Sequence, residues 1–126
     1  MSADLLPKLR PALLPVVVGL VARLLLIAWT SPLAPSHDEA RFWDLAGSRM
    51  DGTAFLPPLY PLVLAGLRAI AGDDLVTVRV LQCLVATASI PLVFVLGERH
   101  LGSGGGRGPA WIVALLPALI HYDGRL

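Results

Sequence analysis

Long apolar runs alternate with short polar segments along this chain. Between residues 11 and 30 the only charge is Arg23, and a helix of that length can cross a hydrocarbon layer of about 30 Å. Trp29 stands at the far end, where an aromatic side chain anchors a helix in the membrane interface. The pattern predicts a first membrane span over about 11–30, after a short polar lead with Lys8 and Arg10.

Two later apolar runs predict two more spans, over about 75–97 and 109–126. The third run has to continue to about the last residue to cross a bilayer. A glycine-rich connection at 102–108 joins the two runs, and Arg99 and Arg107 flank or lie in it. By the positive-inside rule, the N-terminus and this connection face the cytoplasm.

The first extracytoplasmic loop then covers about 31–74. The prolines in Ser31-Pro32-Leu33-Ala34-Pro35 end the first helix, and a helix predicted from Ser36 to Asp51 lies in the membrane interface. A second, partly immersed helix follows from Pro57 to Ala71. The first of these helices is amphipathic, with a polar stripe of His37, Arg41, Asp44, Ser48 and Asp51 at helical spacing.

Composition supports a membrane protein. Hydrophobic residues make up 56% of the 126 residues and charged residues 15%, against about 25% charged in soluble proteins; the mean hydropathy is +0.72. The net charge of +1 provides no basic field, so we expect no nucleic-acid partner. We predict an all-α, polytopic membrane protein with about three transmembrane helices and one or two interfacial helices.

Asp38 and Glu39 form the centre of the most charged stretch. Ser36-x-x-Glu39 matches a capping box, so the acids could simply start a helix. Alternatively, one carboxylate acts as a general base on a hydroxyl at the membrane surface. Both interpretations hold if Glu39 caps the helix and Asp38 faces a cavity.

Arg79, early in the second span, has two interpretations as well. It could reach the lipid headgroups and pair with Asp73 or Asp74, or it could offer its planar, always charged fork to a lipid-linked phosphate. Arg23 and Arg68 are interpreted as headgroup or helix-packing residues.

Two other patterns predict no site. His37 beside two adjacent carboxylates has no metal-ligand spacing, and His100 and His121 lie elsewhere, so no metal is expected. The glycine-rich connection lacks the Gly-Lys-Ser/Thr ending of a phosphate loop, which favours a flexible linker.

The order of these parts resembles the N-terminal end of glycosyltransferases of the C superfamily (GT-C), in particular the family 39 protein O-mannosyltransferases and the aminoarabinose transferase-like enzymes. The matching segments are the span ending near Trp29, Asp38-Glu39, Phe42-Trp43-Asp44-Leu45-Ala46, Pro57-Pro58-Leu59-Tyr60-Pro61-Leu62, Arg79-x-Leu81-Gln82, Leu96-Gly97-Glu98-Arg99-His100-Leu101-Gly102, Leu116-Pro117 and His121-Tyr122-Asp123-Gly124-Arg125-Leu126.

The resemblance implies an inverting transferase that uses a polyprenyl-phosphate sugar as donor substrate and needs no cofactor. Asp38 matches the family's first-loop acid, expected to take the proton from the acceptor, and Glu39 matches the second acid of the mannosyltransferases. Arg79 matches an arginine expected near the donor phosphate. His37 and Tyr60, beside and within the matching segments, are assigned to substrate binding.

The whole of 1–126 is interpreted as the N-terminal portion of a GT-C transmembrane domain in the cell membrane. The family's next acidic residue and later spans are absent, so we expect a truncation whose partners include the bilayer and the remaining helices of a longer chain. The alternative is a small non-catalytic multi-pass membrane protein, either a scaffold or a transporter subunit.

Overall fold

The computed structural model describes residues 5–31, 36–48 and 59–123, and in these ranges every regular element is an α-helix. The predicted all-α class is therefore confirmed for the part described. The helices are α1 (Leu5–Thr30), α2 (His37–Gly47), α3 (Leu59–Ala71), α4 (Leu75–Thr87), α5 (Ser89–Leu101), α6 (Arg107–Leu115) and α7 (Pro117–Asp123).

Two helical stretches are long and apolar enough to cross a membrane, judged by length and composition. They are Leu9–Thr30, in α1, and Leu75–Leu101, which combines α4 and α5. Only 28% of the apolar window in each is buried, whereas a helix in the core of a soluble protein is mostly covered. Large apolar side chains such as Leu25, Val85 and Trp29 are exposed instead. Such a surface suits contact with lipid tails.

The first helix begins earlier than predicted. We expected a polar lead as far as Arg10, but α1 starts at Leu5 and includes Pro7. Proline is tolerated in a first helical turn because those N–H groups have no partner within the helix. The helix ends at Thr30, just before Pro32, as the sequence predicts.

The second predicted span is interrupted in its middle and extends past residue 97. Pro91 has no N–H for the carbonyl of Thr87, and the chain leaves regular helix at Ala88. The Ala88 N–H donates to the carbonyls of Leu84 and Val85, both at 3.2 Å. The helix resumes as α5 and ends at Leu101, before Gly102, whose φ of +86° lies in the left-handed region that favours glycine.

The third apolar run is also broken. Leu116 is extended, with ψ of 114°, and separates α6 from α7. The break precedes Pro117, because a residue before proline is disfavoured in the helical conformation. Neither half is among the stretches long enough to cross a membrane, so a third crossing stays a prediction.

Arg23 donates hydrogen bonds to carbonyl groups at the C-terminal end of α6, next to this break. Its Nη2 donates to the carbonyl of Val113 at 3.2 Å, and its Nη1 donates to the carbonyls of Ala114 and Gly19 at 3.3 and 3.1 Å. Pro117 has no N–H to give Val113, and the negative end of a helix dipole attracts a cation. The fully buried Arg23 is thus a helix-packing residue, one of the two roles predicted for it.

The glycine-rich connection is a compact turn, not the flexible linker expected from its composition. The Glu98 carboxylate accepts hydrogen bonds from the backbone N–H groups of Gly104 and Gly106, at 3.1 and 2.9 Å. The turn brings α6 back along α5 and α1, where Ala12, Ile90, Phe94, Ala110 and Ala114 form one buried cluster. Backbones approach closely at this packing, because a Cβ on Gly97 would lie 2.6 Å from Gly106 Cα.

The helices of the predicted loop pack as a pair against the start of α4. Leu64 of α3 and Val78 of α4 are fully buried there, with Phe42, Trp43 and Ala46 of α2 packed against them. The predicted polar stripe of α2 is exposed at His37, Arg41, Asp44 and Ser48. Asp51, the end of the predicted helix and Pro57-Pro58 lie outside the described residues. At 13 residues, α3 is too short to cross a bilayer upright.

Replacing Gly106 by alanine is expected to destabilise the fold, because the new Cβ would lie 2.2 Å from the carbonyl oxygen of Phe94. Such overpacking costs about 1–3 kcal/mol. The matched control is Gly108→Ala, whose Cβ meets nothing within 4 Å. Unfolding followed by circular dichroism in mixed detergent micelles measures both; an equal effect of the two substitutions would contradict the close packing of α5 on α6.

Candidate functional site

The start of α2 decides which acid points inward. Ser36 and Glu39 form the predicted capping box: the Ser36 N–H donates to Glu39 Oε2 at 2.7 Å, and the Glu39 N–H donates to Ser36 Oγ at 3.3 Å. Glu39 is 2% exposed, whereas the neighbouring Asp38 and His37 are exposed. Successive residues of a helix point about 100° apart. When the capping box turns Glu39 inward, His37 and Asp38 therefore point away from the bundle.

Glu39 pairs with Arg79 across the bundle. The Arg79 Nη2 donates to Glu39 Oε1 at 2.7 Å, and the two side chains are 2% and 3% exposed. The alternative partners proposed for Arg79 are wrong: Asp73 pairs with Arg68, and Asp74 caps α4 by accepting from the Thr77 N–H at 3.0 Å. The pair links α2 to α4.

Arg79 is only partly satisfied by this contact. Its Nε and Nη1 are buried and have no hydrogen-bond partner among the described residues. Buried donors are normally paired, because an unpaired polar group in a low-dielectric interior costs about 1–3 kcal/mol. The two bidentate edges of a guanidinium are Nε with Nη2 and Nη1 with Nη2, so these two donors lie on opposite sides of the group. Each can donate one charge-assisted hydrogen bond to a separate oxygen of a carboxylate or a phosphate.

Tyr60 borders the same pair. Its hydroxyl donates to Gln82 Oε1 at 3.2 Å, one helical turn along α4 from Arg79, and its ring meets Phe42 edge to face at 5.1 Å. Burial raises the pKa of the Tyr60 phenol, and of the two nearby charges Glu39 raises it further while Arg79 lowers it. Tyr60 therefore stays a neutral hydrogen-bonding group beside the ion pair.

A small cavity of about 170 Å³ opens beside Glu39. Trp43, Asp44, Asp73 and Leu75 line it. The Trp43 ring lies 4.2 Å from the Arg68 guanidinium carbon, and Arg68 Nη1 donates to the Trp43 carbonyl at 2.8 Å. An aromatic face with carboxylates beside it can accept hydrogen bonds from a polyhydroxylated molecule.

The structure brings together three of the five predicted site residues. Glu39, Arg79 and Tyr60 lie around one buried point between α2, α3 and α4. Asp38 lies outside this cluster, on the exposed side of α2. His37 lines an open groove of about 530 Å³ with Arg41 and Asp44.

Sequence reasoning missed Gln82, Trp43 and Arg68 as site residues. The spacing of Arg79 and Gln82 puts both on one face of a helix, which was the available signal for Gln82. The contacts of Trp43 and Arg68 join two helices 25 residues apart, and no local pattern predicts them. Within the described ranges, His, Cys, Asp and Glu side chains form no cluster of three that could hold a metal ion.

Comparisons of this chain with protein-family models, with curated proteins and with solved structures found no match. The resemblance to GT-C glycosyltransferases is therefore a prediction from the sequence, and the geometry of the site has to be interpreted from its own chemistry.

Glu39→Ala is expected to destabilise the protein strongly, because it leaves the Arg79 charge buried without its partner, a loss of about 3–5 kcal/mol. The neighbouring substitution Asp38→Ala is the matched control and should cost less than about 1 kcal/mol, since that side chain is exposed. Detergent-titration unfolding of both variants measures the difference. Similar losses for both would show that the Glu39–Arg79 pair does not stabilise the fold.

Tyr60 should ionise only above the ordinary pKa of tyrosine, because burial disfavours the phenolate. The stabilising contribution of the neutral phenol is fully present below pH about 10 and is lost as the pH rises through the raised pKa of the folded state. Absorbance titration of a Tyr122→Phe variant isolates Tyr60, since the chain has two tyrosines; Tyr60→Phe provides the complementary control. A Tyr60 midpoint at or below that of the unfolded chain would contradict its buried position.

Proposed function

We propose that this chain is the N-terminal portion of a multi-pass membrane glycosyltransferase. The enzyme transfers a sugar from a polyprenyl-phosphate donor to an acceptor hydroxyl or amine with inversion, on the extracytoplasmic face of the cell membrane. The N-terminus lies in the cytoplasm, and the third crossing includes α6 and α7. Remaining helices of a longer chain complete the transmembrane domain.

The observation that carries this proposal is the half-satisfied guanidinium of Arg79. The Nε and Nη1 donors are buried and have no partner among the described residues, and phosphate oxygens can accept a charge-assisted hydrogen bond from each of them. Because Arg79 is 2% exposed, a phosphate reaches it only if α2 or α3 moves outward. Tyr60 and Gln82 border the space that such a movement opens.

The neighbouring acids suit the acceptor side of the reaction. Asp38 is exposed on α2 and faces away from Arg79, so the movement of α2 that admits the donor also has to bring the Asp38 carboxylate to the acceptor, from which it takes a proton. The acceptor oxygen or nitrogen then bonds to the anomeric carbon, the bond from that carbon to the phosphate oxygen breaks, and the phosphate leaves with the electron pair. Arg79 stabilises the charge of the leaving phosphate. Glu39, paired with Arg79, sets its orientation, and His37 borders the acceptor's path.

A second candidate is a non-catalytic membrane protein, either a scaffold or a transporter subunit. The Glu39 carboxylate favours it, because one oxygen completes the capping box and the other pairs with Arg79. That arrangement is a complete structural role, in which the pair ties α2 to the bundle and binds no ligand.

Arg79→Lys separates the two candidates. Lysine keeps the positive charge next to Glu39 but loses the separate Nε and Nη1 donors, so affinity for a short-chain polyprenyl phosphate should fall about tenfold, the equivalent of one charge-assisted hydrogen bond. Arg41→Lys, on the exposed stripe of α2, is the matched control and should bind as the unsubstituted chain does. Calorimetric titration in detergent measures both.

Unchanged affinity in Arg79→Lys, or no binding by the unsubstituted chain, would favour the non-catalytic candidate. Asp38→Asn tests the chemical step in the longer enzyme, with radiolabelled polyprenyl-phosphate sugar in membranes. That variant should insert and bind the donor normally while transfer is abolished. Transfer at the unsubstituted rate would remove Asp38 from the mechanism.

A further inference from the structure

Another cavity, separate from the two described above, lies at the opposite end of the 75–101 stretch from Arg79. It has a volume of about 430 Å³ and lies where α1 begins and α5 ends. Leu9 and Pro11 of α1 and Phe94 and Val95 of α5 form its apolar wall. A space of this size is in the range of small-ligand sites, about 300–1,000 Å³.

The mouth of the cavity is polar and carries an exposed arginine. Ser103, Glu98 and Arg107 line it together with Gly104. The Glu98 carboxylate is already engaged by the N–H groups of Gly104 and Gly106, so hydrogen-bond donors of the turn offset part of its charge. Arg107 is exposed; among the described residues it interacts electrostatically with Glu98 but makes no salt bridge.

Positive charge dominates around this mouth. Arg10, Arg99 and Arg107 are all exposed near the start of α1, the end of α5 and the start of α6. Glu98, in the last turn of α5, is the acidic residue beside them. The same region is the end of both stretches that are long enough to cross a membrane, which is the depth at which lipid headgroups lie.

We propose that this cavity binds an anionic phospholipid. The headgroup phosphate accepts hydrogen bonds from the Arg107 guanidinium and the Ser103 hydroxyl, and the first part of one acyl chain lies against Phe94 and Val95. The rest of that acyl chain continues along the exposed apolar surface of the helices. Basic pockets between helices at a membrane interface suit anionic headgroups, since charge attraction and apolar burial act together.

The proposal does not depend on the glycosyltransferase assignment. The cavity uses the ends of α1 and α5 and the turn before α6, and none of its lining residues belongs to the Glu39–Arg79 cluster. Either site can therefore fail its test without affecting the other.

Native mass spectrometry of the protein in a zwitterionic detergent tests the lipid proposal with two lipids whose acyl chains have the same length. Phosphatidylglycerol should bind at least about tenfold more tightly than phosphatidylcholine, because only its headgroup has a net negative charge. Arg107→Gln should weaken the binding of phosphatidylglycerol about tenfold. Arg99→Gln removes the same charge from an exposed position that does not line the cavity, and should change the affinity less than about twofold.

Val95→Trp provides a variant that keeps every charge. The larger ring should fill the apolar part of the cavity and so weaken the binding of phosphatidylglycerol. Val95 is exposed enough to accept the tryptophan without repacking the core. Circular dichroism checks that each variant keeps its helical content.

Four outcomes would overturn the proposal. Equal losses in Arg107→Gln and Arg99→Gln would mean diffuse attraction to a basic surface. Equal affinity for both lipids would exclude headgroup recognition. Full competition by millimolar inorganic phosphate would indicate a free-phosphate site, and unchanged binding in Val95→Trp would place the acyl chain elsewhere.

Discussion

The buried pair of Glu39 and Arg79 is the contact on which the position of α2, and with it the candidate site, depends. One carboxylate oxygen starts α2 by completing its capping box, and the other binds the guanidinium on α4. The direction of α2, and therefore which of its acids faces outward, follows from that single side chain. Breaking a buried pair leaves a charge without compensation, so the position of α2 and the electrostatics of the site cannot be changed independently.

Proline sets the second constraint on this fold. Two apolar runs are broken near a proline, at Ala88 and at Leu116, and the two breaks are stabilised differently. Ala88 shares its N–H between two carbonyls, and Arg23 donates to the carbonyls at the end of α6. In an apolar environment the freed backbone groups need such internal partners. An arginine in the middle of an apolar helix is thus explained without any ligand.

Patterns within about one helical turn were sufficient to predict several features of the described structure. The capping box of Ser36 and Glu39, the exposed stripe of α2 and the end of α1 at Thr30 follow from local chemistry. The breaks at Ala88 and Leu116 were not predicted, although Pro91 and Pro117 signal them. The partner of Arg79 was misassigned because Glu39 is 40 residues away, and sequence spacing favours neighbours such as Asp73. Likewise, glycine content suggested a flexible linker, and only the fold brings Glu98 to the amides of that turn.

The distance in sequence between Arg23 and its acceptors has a consequence for synthesis. The carbonyl of Val113 follows 90 residues after the guanidinium that it accepts, so Arg23 is translated well before its permanent partner exists. Until α6 is made, the carbonyl of Gly19 is the only one of the three described acceptors within reach of the guanidinium. The contact between α1 and α6 through Arg23 therefore forms late in synthesis.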